Sequence, residues 1–344
     1  MKKILLLIVL LIPLKVNAKI NAHLIDAELE IAGGLRVKEL IVFDKNTSDF
    51  SRTINHKVIE EVWDNKSYNK SIYNGYSIEN LKVYALDSSN EIDFSVFSKE
   101  EKIEIKKLDL KNTEKNLYTN IKNKLGSTIN IHYEGDNNAF LLEYVITNIV
   151  VVHEDVLEVN YAFKNLNIGA LKTYIRFIIP YPTTSDEYNF FLHGPSSGKL
   201  QELVSSNNEK LGLISEFDNL KNDINIRMTL PKEQVGIDVY LNKTNLKALD
   251  KILESENNKV KKIENNEKVL KYIKYTLVIV SVFYVLGSVI IYKYSLNSIF
   301  YLYVFLGLII SIFNVIFRYN IIYIYFIVII PIIVKLIHLY SKKR

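Results

Sequence analysis

From Ala22 to about Asp238 the chain alternates apolar and polar positions with a period of two. Leu24, Asp26, Glu28 and Glu30 run against Ile25, Ala27, Leu29 and Ile31. Successive side chains of a strand point to opposite faces, so such a run makes a half-buried β-strand. Gly33-Gly34 then turns the chain, and Leu35, Val37, Glu39, Ile41 and Phe43 carry the alternation on, which predicts a β-hairpin over 22–43. The same pattern predicts strands over 77–86, 92–97, 102–108, 127–133, 140–150, 157–163, 171–179, 190–192, 212–217 and 223–230. Short strands with no helices between them point to a mainly β fold, an antiparallel β-sandwich. A polar, Gly-containing break, Asn165 to Gly169, divides it into a first lobe over 19–165 and a second over 166–240.

Past Thr244 the period becomes helical. Leu246, Leu249, Leu253, Val260, Ile263 and Leu270 fall on heptad seam positions, with Glu256 and Glu267 on the other two, which predicts an amphipathic helical stalk over 244–274. Three apolar stretches follow, 275–292, 299–317 and 321–337, joined by short polar breaks. Spans joined so closely must be helical, because lipid offers no partner to open backbone. Three transmembrane helices within 275–340 and a basic tail, 341–344, are therefore expected, with Lys335 snorkelling to the surface. At the other end Lys2 and Lys3, an apolar run from Ile4 to Leu14, and Val16-Asn17-Ala18 form a signal peptide over 1–18, cut after Ala18. This order places the β-rich region outside a bacterial cytoplasmic (inner) membrane, multi-pass, with the C-terminus in the cytoplasm. Lys335, Lys342, Lys343 and Arg344 agree with that orientation, and the lysines before the first span oppose it.

Charge, split by region, removes one class of partner. The chain is +5 overall, yet residues 19–256 hold 28 basic against 36 acidic groups. A nucleic-acid face needs several phosphate-neutralising cations, so nucleic acid is excluded as partner. The lipid bilayer takes its place: Lys259, Lys261, Lys262, Lys268, Lys271 and Lys274 lie just before the first span, where anionic headgroups would meet them. Cysteine is absent, which removes disulfides, thiolate nucleophiles and Cys-bound metals.

Motifs for chemistry are few. His193-Gly194-Pro195-Ser196-Ser197-Gly198-Lys199 resembles a phosphate loop but is one residue short between its glycines, with Leu200 in place of the magnesium-binding hydroxyl, so it reads as a turn. His153-Glu154-Asp155 groups three polar residues; in a strand only His153 and Asp155 would share a side, and a polar turn before Val156 is the plainer reading. His23, His56, His132 and His193 show no ligand spacing, so no metal and no cofactor is expected. No HExxH helix occurs. The apolar stretches contain no Asp or Glu, which speaks against an autonomous transporter.

Three stretches carry a resemblance. The hairpin leads to Glu39 and then Arg52-Thr53-Ile54; Leu142-Glu143-Tyr144-Val145-Ile146 is followed by His153-Glu154-Asp155-Val156-Leu157-Glu158-Val159; and Pro180-Tyr181-Pro182 precedes His193-Gly194 and the Arg227 to Pro231 stretch. In that order they resemble the YciQ-like predicted membrane proteins of bacteria, whose shared extracytoplasmic region is a domain of unknown function. The chain departs from them in lacking a tryptophan after the Asp-Glu strand and in its short basic tail. The resemblance implies placement and fold and brings no catalytic residues.

The function expected is a membrane-anchored extracytoplasmic binding or scaffold module, engaging another envelope protein or a cell-wall component and self-associating through stalk or spans. One alternative is an envelope hydrolase that gathers Asp155, Glu158 and His193; another is an accessory subunit of a transport complex.

Overall fold

The computed structural model describes residues 18–55, 62–63, 66–67, 76–87, 93–98, 102–108, 116–122, 126–166, 169–195, 198–236 and 241–293, with side chains of the C-terminal helix to residue 277 and at 279. The opening alternation forms the hairpin of β1 (Ile20–Leu29) and β2 (Leu35–Phe43), turned at Glu30–Gly34, where Gly33 takes the left-handed φ of 82° that the turn needs. Next come β3 (Asp49–Asn55), the short pair β4 (Val62–Trp63) and β5 (Lys66–Ser67), and β6 (Ser77–Leu86). β7 (Ile103–Lys107), β8 (Leu117–Lys122), β9 (Gly126–His132) and β10 (Ala139–Thr147) follow. The stretch 140–150, expected as one strand, breaks at Asn148 with φ 60° before β11 (Val150–Val152).

β12 (Leu157–Phe163), β13 (Ala170–Thr183), β14 (Asn189–His193), β15 (Lys199–Val204), β16 (Lys210–Leu220), β17 (Ile224–Leu230) and β18 (Leu241–Lys243) complete the strands. A long helix, α1 (Leu249–Lys293), closes the description. It begins five residues later than the heptad pattern implied.

The fold is mainly β, with large mixed sheets and one long helix. An eleven-stranded sheet runs β15-β16-β13-β1-β2-β10-β6-β7-β8-β9-β3, and a five-stranded sheet runs β14-β17-β12-β11-β18. Most pairings are antiparallel, but β1–β13, β7–β8 and β11–β18 are parallel, which corrects the purely antiparallel expectation.

The two-lobe division is also corrected. β13 lies beyond the expected boundary at 165/166, yet it pairs along β1 from Ile20↔Ala170 to Glu28↔Ile178, so one sheet runs through both halves. The polar break is a corner between sheets and not a linker. The Asn165 N–H donates to Asp223 Oδ1 at 2.9 Å, its carbonyl accepts from Arg52 Nη1 at 3.2 Å, and Gly169 turns with φ 74°.

One core joins the two sheets, consistent with a sandwich. Ile25, Ala27 and Leu29 of β1, Val37 and Ile41 of β2 and Phe140 and Leu142 of β10 pack with Leu157, Val159, Ile226 and Met228 from the five-stranded sheet. The opposite face of the large sheet carries Leu24, Leu40, Val42 and Leu141, covered by Val96 and Phe97 of a short 3-10 turn, Phe94–Ser98. That turn stands where a strand over 92–97 was expected.

Side-chain description of α1 stops at Ile279, and among the described residues no helix is long and apolar enough to cross a membrane. The backbone of α1 runs through 275–292. The expected signal peptide up to residue 17, the stretches 299–317 and 321–337 and the tail 341–344 lie outside the described residues.

Candidate functional site

Strand alternation places three ionisable residues on the apolar, core-facing side: His23 on β1, Glu39 on β2 and Arg52 on β3. They meet. His23 Nε2 lies 2.7 Å from Glu39 Oε1, and Arg52 Nε and Nη2 donate to the same oxygen at 2.9 and 2.5 Å. All three are at most 2% exposed. Burial by itself would push the Glu39 carboxyl up, but the Arg52 guanidinium and the His23 ring outweigh it and hold it at about 2. Burial lowers His23 below its ordinary value, so at neutral pH the ring is uncharged. Because Glu39 is then acceptor only, His23 Nε2 carries the hydrogen.

Around this trio a phenol frame ties β3 to β12. The Tyr161 hydroxyl donates to the Asn55 carbonyl at 3.0 Å, Asn55 Nδ2 donates to the Ala162 carbonyl at 3.2 Å, and the Tyr76 hydroxyl donates to the Asn160 carbonyl at 2.6 Å. The Tyr144 hydroxyl points at Glu39 Oε2 from 3.5 Å. Burial, seconded by the Glu39 charge, raises the Tyr144 phenol well above its ordinary value, so it stays a donor.

The same three residue types meet a second time, on the five-stranded sheet. His153 Nε2 lies 3.0 Å from Glu158 Oε2, while Arg227 Nε and Nη2 reach Glu158 Oε1 at 2.8 and 2.7 Å. Exposure is 0 to 2% at all three. Burial opposes ionisation of Glu158, and Arg227 with His153 overcomes it, so the carboxyl lies below its ordinary value. Glu158 belongs to a strand in which all seven residues are buried, which a period-two reading could not separate into faces.

Of the residues proposed for hydrolysis, the structure brings Glu158 to His153 and Arg227, and not to Asp155 or His193. Asp155 sits in the turn between β11 and β12, closed by the His153 N–H to Val156 carbonyl bond at 2.9 Å. Its carboxylate accepts from the Ala248 N–H at 2.9 Å and the Leu249 N–H at 3.1 Å, so it caps the start of α1. Burial works against its charge, and those two N–H groups prevail to lower it. His193 lies on β14 opposite Asn225, whereas Glu158 lies opposite Thr229. Four residue steps along β17 separate the two by roughly 13 Å in the strand direction alone, beyond the reach of an acid and base on one substrate.

The remaining expectations divide similarly. His153 and Asp155 form the polar turn rather than a shared strand face. The Gly198 N–H bonds the Pro195 carbonyl at 3.1 Å, as in a turn, and residues 196–197 of the former phosphate-loop comparison lie outside the described residues. No group of three or more metal-ligating side chains occurs among the described residues. Lys259 pairs with Glu256 at 2.7 Å, one turn back on α1, and Lys261, Lys262, Lys268, Lys271 and Lys274 are exposed.

Chemically, a carboxylate held by an arginine and an imidazole would suit acid–base work in an open cleft. Neither cluster has one. A surface depression of about 460 Å³, lined by Tyr181, Pro182, Thr183, Glu187, Glu233 and Gln234 among others, touches neither trio. Gln234 there is occupied in holding β13, donating to the Tyr181 carbonyl at 2.8 Å and accepting from its N–H at 3.0 Å.

No known family's profile matches the chain, and no curated protein does. Among solved structures it is similar to a "putative protease" from Parabacteroides distasonis ATCC 8503, at 10% identity and TM-score 0.32, over 62% of this chain and 40% of that one. Baculovirus P35 is similar at 10% identity and TM-score 0.21, over 64% of this chain and 99% of that one. The chain spans less than half the length of the first of these, and neither brings a function with it.

The sequence signal for the first trio was a polar residue on the apolar face of a strand: His23 before Ile25 and Ala27, Glu39 between Val37 and Ile41, Arg52 before Ile54. Such residues are almost never fully buried unless paired, so three in one hairpin and its neighbour announce one another.

Proposed function

We propose that the chain is a membrane-anchored extracytoplasmic binding or scaffold module of a bacterial envelope. The observation that carries this reading is the continuity of α1. The helix starts under the Asp155 cap, passes through the lysine-rich segment, and its backbone continues through the first apolar stretch to Lys293. At about 100° per residue, the six lysines point all round the helix and make a collar rather than one cationic face. A collar suits a helix rising out of a headgroup layer. The stretches 299–317 and 321–337 supply the further spans, and the signal peptide delivers the β-rich domain outward.

Two observations favour binding over catalysis. The buried trios are sealed, so their chemistry serves the fold. The outermost strand, β15, leaves Leu200 52% and Val204 53% exposed, and among the described residues no strand pairs with its outer edge. A free edge accepts an added strand from an extended partner segment, which fits an envelope protein as the partner. The Glu39–Arg52 and Glu158–Arg227 pairs join residues from the stretches that resemble the YciQ-like proteins, which supports reading the chain with them.

Membrane fractionation tests the proposal. The full chain should stay in the membrane pellet after alkaline carbonate, and protease added to spheroplasts should digest the β-rich domain. Release by carbonate, or protection from the protease, would overturn it.

A further inference from the structure

The cut expected after Ala18 falls just before the first strand, β1 (Ile20–Leu29). Ala18 packs at the margin of the core, Lys19 follows, and β1 starts at Ile20, which is 2% exposed. Lys19 is held at both ends of its backbone by one residue: its N–H donates to Asp44 Oδ1 at 2.9 Å, and its carbonyl accepts from the Asp44 N–H at 3.0 Å. Asp44 follows the last residue of β2, so the contact closes the open end of the β1–β2 hairpin.

We infer that Asp44 is the receptor for a new amino terminus at Lys19, created by proteolytic removal of residues 1–18; the inference rests on the export reading above. Hydrolysis adds water across the Ala18–Lys19 peptide bond. The carboxylate leaves on Ala18, and the Lys19 nitrogen, already beside Asp44 Oδ1, becomes a primary ammonium. A neutral amide donor is thereby replaced by a cation facing the same carboxylate, and hydrogen bonds between ionised partners are the stronger kind. The cut removes the Ala18 methyl from the core margin and leaves β1 in register. Lys19 and Asp44 are both exposed, so the pairing belongs to the range of surface ion pairs and not of buried ones.

N-terminal sequencing of the full chain isolated from membranes comes first. Lys19 should be the first residue. A retained Met1 would defeat the export reading and this inference together, whereas a cut elsewhere would defeat only the assignment of the terminus. The pairing is then read from the rate at which an amine-acylating reagent labels the α-amine near neutral pH. Asp44→Asn should speed labelling about two- to fivefold, the factor expected for an exposed ion pair, and Asp44→Glu should keep the slow rate. Equal rates in wild type and Asp44→Asn overturn the inference. Should Asp44→Asn fail to accumulate, Ala18→Leu, which blocks the cut, is compared with the processed chain: the uncut chain should unfold at lower denaturant, and identical midpoints overturn the pairing.

Discussion

Asp155 caps a helix that starts 94 positions away: its Oδ1 accepts from the Ala248 N–H at 2.9 Å, and its Oδ2 from the Leu249 N–H at 3.1 Å. Beside it Val156, Ala248 and Ile252 form a small buried cluster, with Phe191 and Leu249 packed against it. The carboxylate therefore fastens the start of α1 to the β11–β12 turn.

Replacing Asp155 by Ala should lower stability by about 1 kcal/mol, the usual cost of a lost cap, and Asp155→Asn should recover most of it. Urea unfolding of the two variants checks this. If Asp155→Ala unfolds like wild type, the cap has no energetic weight.

Removing Arg52 should be far more damaging. Arg52→Met strands Glu39 as a buried carboxylate, a change that typically costs about 3–5 kcal/mol. Glu39→Gln combined with Arg52→Met should lie closer to wild type than Arg52→Met alone, because no bare charge remains. A double variant less stable than the single one would show that the pair does not behave as a unit.

Acid should weaken the fold through two members of the first trio, Glu39 and His23. The Glu39 carboxyl moves from an ordinary 4.5 to about 2 in the fold. The unfolded chain thus binds its proton first as pH falls, so this contribution is complete above about 4.5 and disappears between 4.5 and 2; it amounts to on the order of 3 kcal/mol. His23 is lowered from 6.5. Its unfolded ring also binds the proton first, so stability declines from about 6.5 downward, with the same sign. Denaturant midpoints at pH 8, 6, 4.5 and 3 should fall at each step, and His23→Gln should flatten the upper part only. A midpoint unchanged between pH 4.5 and 3 would refute the Glu39 assignment.

Gly212→Ala should cost about 2 kcal/mol or more, beyond an ordinary surface change. Gly212 has φ 149°, where side-chain-bearing residues are strained, and an added Cβ would strike the Phe177 carbonyl on β13. A variant as stable as wild type, measured by thermal unfolding, would mean the β13–β16 register relaxes freely.

The lysine collar predicts salt-sensitive lipid contact. A peptide of residues 255–274 should bind anionic vesicles and be released by added salt, since surface attraction is screened within about 8 Å at physiological ionic strength. Equal binding to neutral vesicles would leave the segment as a spacer.

Periodicity located most strands, and the pairings it missed share a physical cause. The 157–163 strand has the expected ends because Leu157, Val159, Tyr161 and Phe163 alternate without a break, and the 77–86 strand has them although a bulge at Asn80, φ 52°, interrupts its alternation. β3 was missed because Arg52 occupies a core position and so reads as polar; once paired with Glu39, Phe50, Arg52 and Ile54 alternate regularly. The stretch 92–97 misled in the other direction. Asp93 Oδ1 accepts from the Ser95 N–H at 2.7 Å, a local bond that competes with strand pairing and winds the chain into a 3-10 turn. Of the site residues, Glu158 and His153 were each singled out, but not as partners of one another or of Arg227. Arg227 lies 69 residues downstream of Glu158, and only the β12–β17 register brings the two together.

The parallel β1–β13 seam fixes when the molecule can fold. Arg176 grips Asp26 with two bonds of 2.7 Å across 150 residues of intervening chain, and β1 has no other partner on that edge. A chain being synthesised from its N-terminus has to extend past residue 178 before this seam can close, and closure over so long a loop is slow. Until then β1 pairs with β2 alone and its other edge stays bare, a template open to wrong pairing. The large sheet thus cannot be completed until more than half of the chain has been made, and the strands on either side of the seam have to be brought together late.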